Sequence, residues 1–471
     1  MNSFIFDIGK TNLKCQLLDS TGTSIWSVSR ANTPVTPAKS SPVPYTYFDI
    51  DDIWQWLLES LREAAATYSV DTINISTHGA CVVLLTETGD LALPVLDYED
   101  AIVEAINDDY ATVKPDFAKT LSPNLPAGLN VGRQLRWLQK NFPVHFSQTV
   151  SLLFYPQYWA WRLSGVRSVE RTSLGCHTDL WQPTTDSYSP LLGELELRHV
   201  MPPLVDNRKP LGTITTKVAE ATGLSHDCVV YPGVHDSNAS LACHLWNTQT
   251  DDQLGDNFTV VSSGTWIITM AMGASLGSLS EEKDMLANVN AMSQPVACGR
   301  FMGGREFETI CQRTNAQVTD EINASDLQQV IDSNTFALPN FAGNSGPFNS
   351  RAAEIITTDA TNFSGKALAT LYIALMIDLE LELLGAEGSV VFGSTSLKNP
   401  LICQLLAQLR PQQTILLSQQ QAGTIQGCWA LTQWHNKLSD ATSDSNYSQA
   451  AAANLNGLET YQERWRQRVN A

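Results

Sequence analysis

Apolar and polar positions alternate at the start of the chain in a way that sets its first elements. Phe4-Ile5-Phe6 is an apolar run entering Asp7-Ile8-Gly9, and alternation resumes through Leu13, Cys15 and Leu17. That period of two predicts a β-hairpin, and Asp19-Ser20-Thr21-Gly22 turns the chain into a third strand at 25–28. The period then changes. Ile53, Trp54, Leu57, Leu58 and Leu61 recur at helical spacing, predicting a helix over 51–69 with Asp51 as its N-cap. A strand at 72–76 follows and ends in Thr77-His78-Gly79-Ala80, and another strand and the turn 87–90 lead to 91–98. Strand, strand, strand, helix, strand predicts a mixed α/β fold with a largely parallel sheet.

Residues 101–211 carry helical patterns at 130–142 and 155–163 between Pro-rich connections, after which Tyr231-Pro232-Gly233-Val234 returns to the core. A second hairpin pattern follows in Phe258-Thr259-Val260-Val261-Ser262-Ser263-Gly264-Thr265-Trp266-Ile267-Ile268. The polar stretch 247–253 reads as a linker, so domains of 1–245 and 246–471 are expected. In the second half a long helix is predicted over 365–384, a strand at 390–392, a helix at 400–409 and a strand at 414–417. A small-residue helix from Gly423 and a polar tail complete the pattern.

A length of 471 residues favours two domains over one core. Lys plus Arg number 29 against 48 Asp plus Glu, a net charge of −19 that argues against nucleic acid or an anionic membrane as partner. Apolar runs such as 81–85 are too short to span a bilayer, and no secretion signal is visible at the N-terminus. Nine cysteines without paired spacing read as reduced thiols in the cytoplasm, in a protein expected to be a monomer or homodimer. With so acidic a surface, phosphate would have to be held by backbone N–H groups, a metal and local lysines.

Both hairpins suit that task. Glycine lets backbone N–H groups approach phosphate oxygens, and the carboxylate of Asp7 stands where a hydrated magnesium ion would sit. Gly9-Lys10-Thr11 imitates the end of a Walker A loop, but Phe4 replaces the required first glycine and a strand, not a helix, follows. Asp7, Gly9, Lys10, Thr11, Asn12 and Lys14 are therefore read as one phosphate turn, and Ser263, Gly264 and Thr265 as its counterpart.

The first hairpin resembles the first phosphate motif of the actin/hexokinase superfamily, and the chain as a whole resembles the FGGY carbohydrate kinases. Lys10 stands where that family usually has Thr, and Lys14 where it has Arg, a variant close to rhamnulokinase- and fuculokinase-like members. The resemblance implies two RNase H-like domains with a cleft between them, and ATP with Mg2+ as cofactors. It implies a catalytic base at Asp236, in Gly233-Val234-His235-Asp236, though a helix N-cap would explain the same residue cheaply. Asp7 and Asp236 would face the metal. Adenosine would lie at Gly393, Ser394 and Asn399, where the family's second glycine is replaced by Ser394. His78, Gly79, Asp97, His177, His235 and Asp236 would line the sugar. The implied activity is phosphorylation of a ketose or deoxyketose such as L-fuculose or L-rhamnulose, or of a pentulose such as xylulose. The alternative is an actin-like nucleotide switch or sugar sensor without kinase activity.

Overall fold

The structure, a computed structural model, describes residues 1–248, 254–343, 345–357, 363–393, 399–419, 423–435 and 447–470. The chain forms two compact units. One comprises Met1–Thr250 with Ala287–Pro295 and Ala422–Ala441, and the other Asp251–Leu286, Val296–Gln421 and Thr442–Ala471.

The first unit is built on β1 (Ser3–Ile8), β2 (Asn12–Leu18) and β3 (Ser24–Ala31), an antiparallel meander, followed by α1 (Ile50–Ala65) and β4 (Thr72–Thr77). β4 pairs parallel to β1, and the short β5 (Val229–Val230) and β6 (Val234–His235) pair parallel to β4. Helix α2 (Asp236–Asn247) leaves directly from β6. Side chains alternate across a strand, so Phe4, Phe6 and Ile8 pack with Ile53, Leu57 and Leu61 of α1. Ile5 packs on the opposite face, with Ala239, Ala242 and Cys428. The Phe-Ile-Phe run is continuous because both faces of β1 are covered.

Asp49, not Asp51, is the N-cap of α1, its carboxylate accepting the Asp52 amide hydrogen at 3.0 Å. Asp51 and Asp52 instead occupy the first turn, where the helix dipole favours negative charge. The helix Gly423–Gln433 also belongs to this unit. It lies against α2 so closely that a Cβ on Gly427 would sit 1.7 Å from the Ala239 carbonyl oxygen. Asn74 Nδ2 donates to the Cys428 carbonyl at 2.9 Å and Trp429 Nε1 to that of Asp19 at 3.0 Å.

The second unit repeats this plan. β7 (Phe258–Ser263), β8 (Ile267–Ala271) and β9 (Pro295–Phe301) form an antiparallel meander. Helices α3 (Gly303–Arg313) and α4 (Gly365–Leu383) follow, then β10 (Ser389–Phe392), α5 (Pro400–Leu409) and β11 (Ile415–Ser418), with β10 and β11 parallel to β7. Helix α4 is apolar over most of its surface because most of it is buried. A polar layer crosses this core. Thr269 Oγ1 donates to Glu380 at 2.7 Å, Arg300 pairs with Asp284 at 2.9 Å, and Glu306 accepts from Tyr372 Oη and from the Phe341 amide at 3.1 Å. Among the described residues no helix is long and apolar enough to cross a membrane.

Gly427→Ala should lower the melting temperature by several degrees, since overpacking a closed contact costs about 1–3 kcal/mol; an unchanged transition would mean the two helices part freely. Glu380 supplies a pH signature. Burial raises its carboxyl to about 8, so the folded chain keeps a proton that the unfolded chain releases above its ordinary value of 4.5. Stability should therefore fall as pH rises between those values. Glu380→Gln should match the wild type below pH 4.5 and be the more stable at pH 8, and a constant gap across that range would contradict the assignment.

Candidate active site

In the first unit the carboxyl ends of three parallel strands meet. Asp7 and Ile8 stand level with Ser76 and Thr77 of β4, which stand level with Val234 and His235 of β6. β1 and β6 flank β4, so their backbones are about 10 Å apart, two strand spacings. Asp7 shares the face of Ile5, the face covered by α2, and Asp236 is the first residue of α2. The two carboxylates feel each other. Burial first, and then the charge of Asp236, push the Asp7 carboxyl up to about 7, while its cross-strand partner Lys14 acts against them.

The turn between β1 and β2 is tight. The Gly9 amide donates to the Asn12 carbonyl at 2.9 Å, and a Cβ on Gly9 would meet that oxygen at the same distance. Asn32, which the sequence pattern did not single out, holds the turn from β3's end, its Nδ2 on Gly9 O and its amide on Thr11 O, both at 2.8 Å. Thr11 and Asn12 are exposed. Lys10 is directed elsewhere: its Nζ pairs with Asp97, lies 3.3 Å from Glu99, and sits 5.0 Å from the centroid of the Tyr98 ring. Two expected site residues from different roles, Lys10 and Asp97, thus form one ion pair.

His78 follows β4, and its ring is buried among Phe48, Tyr98 and Tyr155. Burial holds its pKa below the usual value. Nδ1 lies 3.0 Å from the Gly79 carbonyl and so carries the hydrogen, which leaves Nε2 a buried acceptor with no partner among the described residues. His177 has a positive φ of 42°, directs Nδ1 to the Leu129 carbonyl at 2.7 Å, and meets His235 edge-on with ring centroids 6.5 Å apart. A Cβ on Gly79 would lie 2.6 Å from His235 Nε2.

Asp236 is partly exposed. Its Oδ1 accepts from the Ser237 amide at 2.6 Å and Ser237 Oγ at 3.2 Å, and lies 3.2 Å from His235 Nε2. This is not the N-cap that its sequence context allows. His235 holds the cap position without a side-chain bond, and the Asp236 carboxylate reaches no amide beyond its immediate neighbour. Beneath it, the His235 amide donates to Thr172 Oγ1 at 3.1 Å, and Thr172 Oγ1 donates to buried Glu170 at 2.8 Å. Glu170 also accepts the Thr172 and Ser173 amides at 2.6 and 2.8 Å. It too was missed, its only sequence signal being an acid ahead of Thr172-Ser173.

In the second unit the turn after β7 is closed by a bond from the Gly264 amide to the Trp266 carbonyl at 3.0 Å. The first turn of α3 presses on it: the Gly304 amide donates to the Thr265 carbonyl at 3.2 Å, and a Cβ on Gly304 would lie 2.3 Å from Gly264 O. Beside this contact is a cavity of about 480 Å³. Ser263, Gly264, Gly304, Lys366 and Asn399 give it polar edges, and Ile267, Phe307, Ile373, Ile377, Phe392 and Ile402 give it apolar walls. Asn399 Nδ2 donates to Thr370 Oγ1 at 3.0 Å. Gly393 ends β10 with open space where a Cβ would be. Ser394, with the rest of 394–398, lies outside the described residues. Phe307 and Lys366 were not read from the sequence as site residues.

Asp7 and Asp236 supply hard oxygen donors whose mutual repulsion a cation would relieve. Among the described residues no group of three or more His, Cys, Asp or Glu could hold a metal. That donor set fits magnesium, which takes one or two carboxylates and completes its shell with water and phosphate oxygens.

The model for the FGGY family of carbohydrate kinases, N-terminal domain, matches residues 3–243, and that for carbohydrate kinase FGGY, C-terminal domain, matches 255–441. L-fuculokinase of Salmonella typhi is 27% identical over 274 residues, 56% of this chain and 55% of that protein. L-xylulose/3-keto-L-gulonate kinase of Escherichia coli (strain K12) is 25% identical over 285 residues, 57% and 52% of the two chains. The chain thus spans about half the length of the curated relatives it matches. The crystal structure of a carbohydrate kinase from Novosphingobium aromaticivorans is similar throughout, at 33% identity and a TM-score of 0.87, covering 99% of this chain and 100% of that one. The two α/β units are those of the actin/hexokinase-like fold, and the chain belongs to the FGGY family of carbohydrate kinases.

Proposed function

We propose that this protein transfers the γ-phosphoryl group of ATP to a hydroxyl of a ketose or deoxyketose, such as L-fuculose or L-rhamnulose, or of a pentulose such as xylulose. The observation that carries the proposal is the state of Asp236: one carboxylate oxygen accepts from Ser237, and among the described residues no hydrogen bond occupies the other, which can take a proton. The substrate oxygen bonds to phosphorus, the bond from phosphorus to the β,γ-bridging oxygen breaks, and the hydroxyl proton passes to Asp236 Oδ2. ADP and a sugar phosphate are the products.

Residues 1–245 supply the sugar side and the base. His78 Nε2 offers an acceptor to a sugar hydroxyl, with Gly79, Asp97 and His177 as further lining. The second unit supplies the nucleotide side, with adenosine in the cavity walled by Phe307, Ile373 and Phe392 and edged by Asn399, next to Gly393. Gly9, Lys10, Thr11, Asn12 and Lys14, and Ser263, Gly264 and Thr265, supply the phosphate turns. Lys10 contributes through its backbone, since its ammonium group is already paired. Magnesium, held by Asp7 and Asp236 through water, would screen the phosphate charge. All nine cysteines are free thiols, in keeping with a cytoplasmic enzyme acting as a monomer or homodimer. A nucleotide switch would have no use for a base so held, nor for the acceptor of His78.

An ADP-release assay across neutral ketoses, pentuloses and polyols tests the proposal: turnover with at least one ketose is expected, and sugar-independent hydrolysis throughout would refute it. Asp236→Asn should cut turnover by roughly two orders of magnitude or more and leave ADP affinity within a few fold. Phe307→Ala should weaken ADP binding by about 1 kcal/mol or more without touching sugar affinity. Calorimetric titration of ADP into each variant separates the two effects.

A further inference from the structure

Lys10 belongs by sequence to the phosphate turn, but its ammonium group is committed to the sugar side. Nζ donates to Asp97 Oδ1 and lies 3.3 Å from a Glu99 carboxylate oxygen. It stands over the rings of Tyr98 and Phe48, 5.0 and 5.4 Å from their centroids. The Lys10 and Asp97 side chains are only 15% and 6% exposed, so each charge depends on the other to remain there.

The pair fixes what Asp97 can offer. Its amide donates to the Thr46 carbonyl and its carbonyl accepts the Asp100 amide hydrogen, both at 2.9 Å. Oδ1 accepts from Lys10 and, at 3.1 Å, from the Glu99 amide. Among the described residues no hydrogen bond occupies Oδ2, and an ionised carboxylate only accepts. The unpartnered Nε2 of His78 is a second acceptor nearby, since the Tyr98 ring under Lys10 also packs on the His78 ring at 5.5 Å between centroids. Burial acts first on that imidazole, and after the Gly79 carbonyl it feels the charges of Asp236, Lys10 and Asp97. The ion pair, the imidazole and the proposed base thus share one region of the first unit. Two carboxylates, Asp97 and Glu99, face one ammonium there, leaving a net negative charge. A substrate hydroxyl can donate to Oδ2 directly. A substrate carboxylate would meet like charge and find the Lys10 ammonium already paired.

We infer that the Lys10–Asp97 pair is the charge filter of the sugar pocket: Lys10 holds Asp97 as an acceptor for a substrate hydroxyl, so that neutral ketoses bind and sugar acids are turned away. Lys10 is therefore a positioning residue acting through Asp97, and its side chain is not a phosphate ligand. The inference rests on the reading that the sugar binds in the first unit beside Asp236, and adds to it the residues that set the charge of the substrate.

The test is calorimetric titration of three probes into the wild type, Lys10→Met, Asp97→Asn and the double variant. The probes are the best ketose of the ADP-release panel, the keto-acid with a carboxylate in place of that ketose's terminal carbon farthest from the ketone, and ADP. The wild type should bind the ketose roughly tenfold or more tightly than the acid. Lys10→Met should weaken ketose binding roughly tenfold and leave ADP affinity within about threefold, because the backbone of the turn is kept. Asp97→Asn frees the ammonium, so ketose affinity should fall and the preference for ketose over acid should shrink by about tenfold. The double variant removes both buried charges. It should melt no lower than either single variant, bind the ketose no better than they do, and lose the acid affinity that Asp97→Asn gains. Equal wild-type affinity for ketose and acid, an unchanged preference in Asp97→Asn, or a Lys10→Met variant that loses ADP and keeps the ketose would overturn the inference. So would ketose affinity lost in the single variants and restored in the double, which would mark the loss as an effect of an unpaired charge on folding. Failure of every ketose to bind the wild type would instead overturn the proposed function on which the inference rests.

Discussion

The parallel pairing of β1, β4 and β6 is the constraint on which the first unit's chemistry depends. A one-residue slip in any of these strands would turn every side chain to the other face. Asp7 would then point toward α1 and the Phe4–Phe6 core instead of toward α2. The register is held by burial, since both faces of β1 are covered by apolar side chains that fit only one way round. Packing thus delivers a carboxylate to the helix that begins with Asp236, and burial first, with the charge of Asp236 second, raises the Asp7 carboxyl.

The second unit repeats the architecture of the first with a different emphasis. Its meander and parallel strands follow the same order, but its turn is braced by α3 through the Gly304 contact, whereas the first unit's turn is braced by Asn32. The polar layer of Glu380, Thr269, Asp284 and Arg300 lies under β8 and β9. Within that layer Glu380 Oε2 accepts from Thr269, while Oε1 is buried with no hydrogen-bond partner among the described residues, and burial raises the carboxyl.

Both hairpins, the long helices and the parallel strands could be read from periodicity, because continuous or alternating apolar runs report burial directly. Val390-Val391-Phe392 and the helix from Pro400 are where the pattern puts them. The N-cap of α1 was displaced by two residues because three acids in four positions compete for it, and only the start of the helical turn chooses Asp49. Asn32 escaped notice because it acts on a turn far from it in sequence, and a lone polar residue carries no periodic signal; Glu170 caps the helical turn just after it and reaches His235 only through Thr172. Lys10 and Asp97 were both visible, but their pairing was not, since it depends on the 87 residues between them being folded.

The closure of Gly427 on Ala239 has a bearing on how the chain reaches its native state. The face of β1 that carries Ile5 is roofed by α2 and by a helix that starts only at residue 423. During ribosomal synthesis that side of the N-terminal sheet can therefore be covered only in part, by α2, until most of the second unit has been made. A chaperone that shields such a surface, or a slow release from the ribosome, would act on this interval, and a fragment cut after α2 would keep exposed the part of the face that the helix Gly423–Gln433 covers.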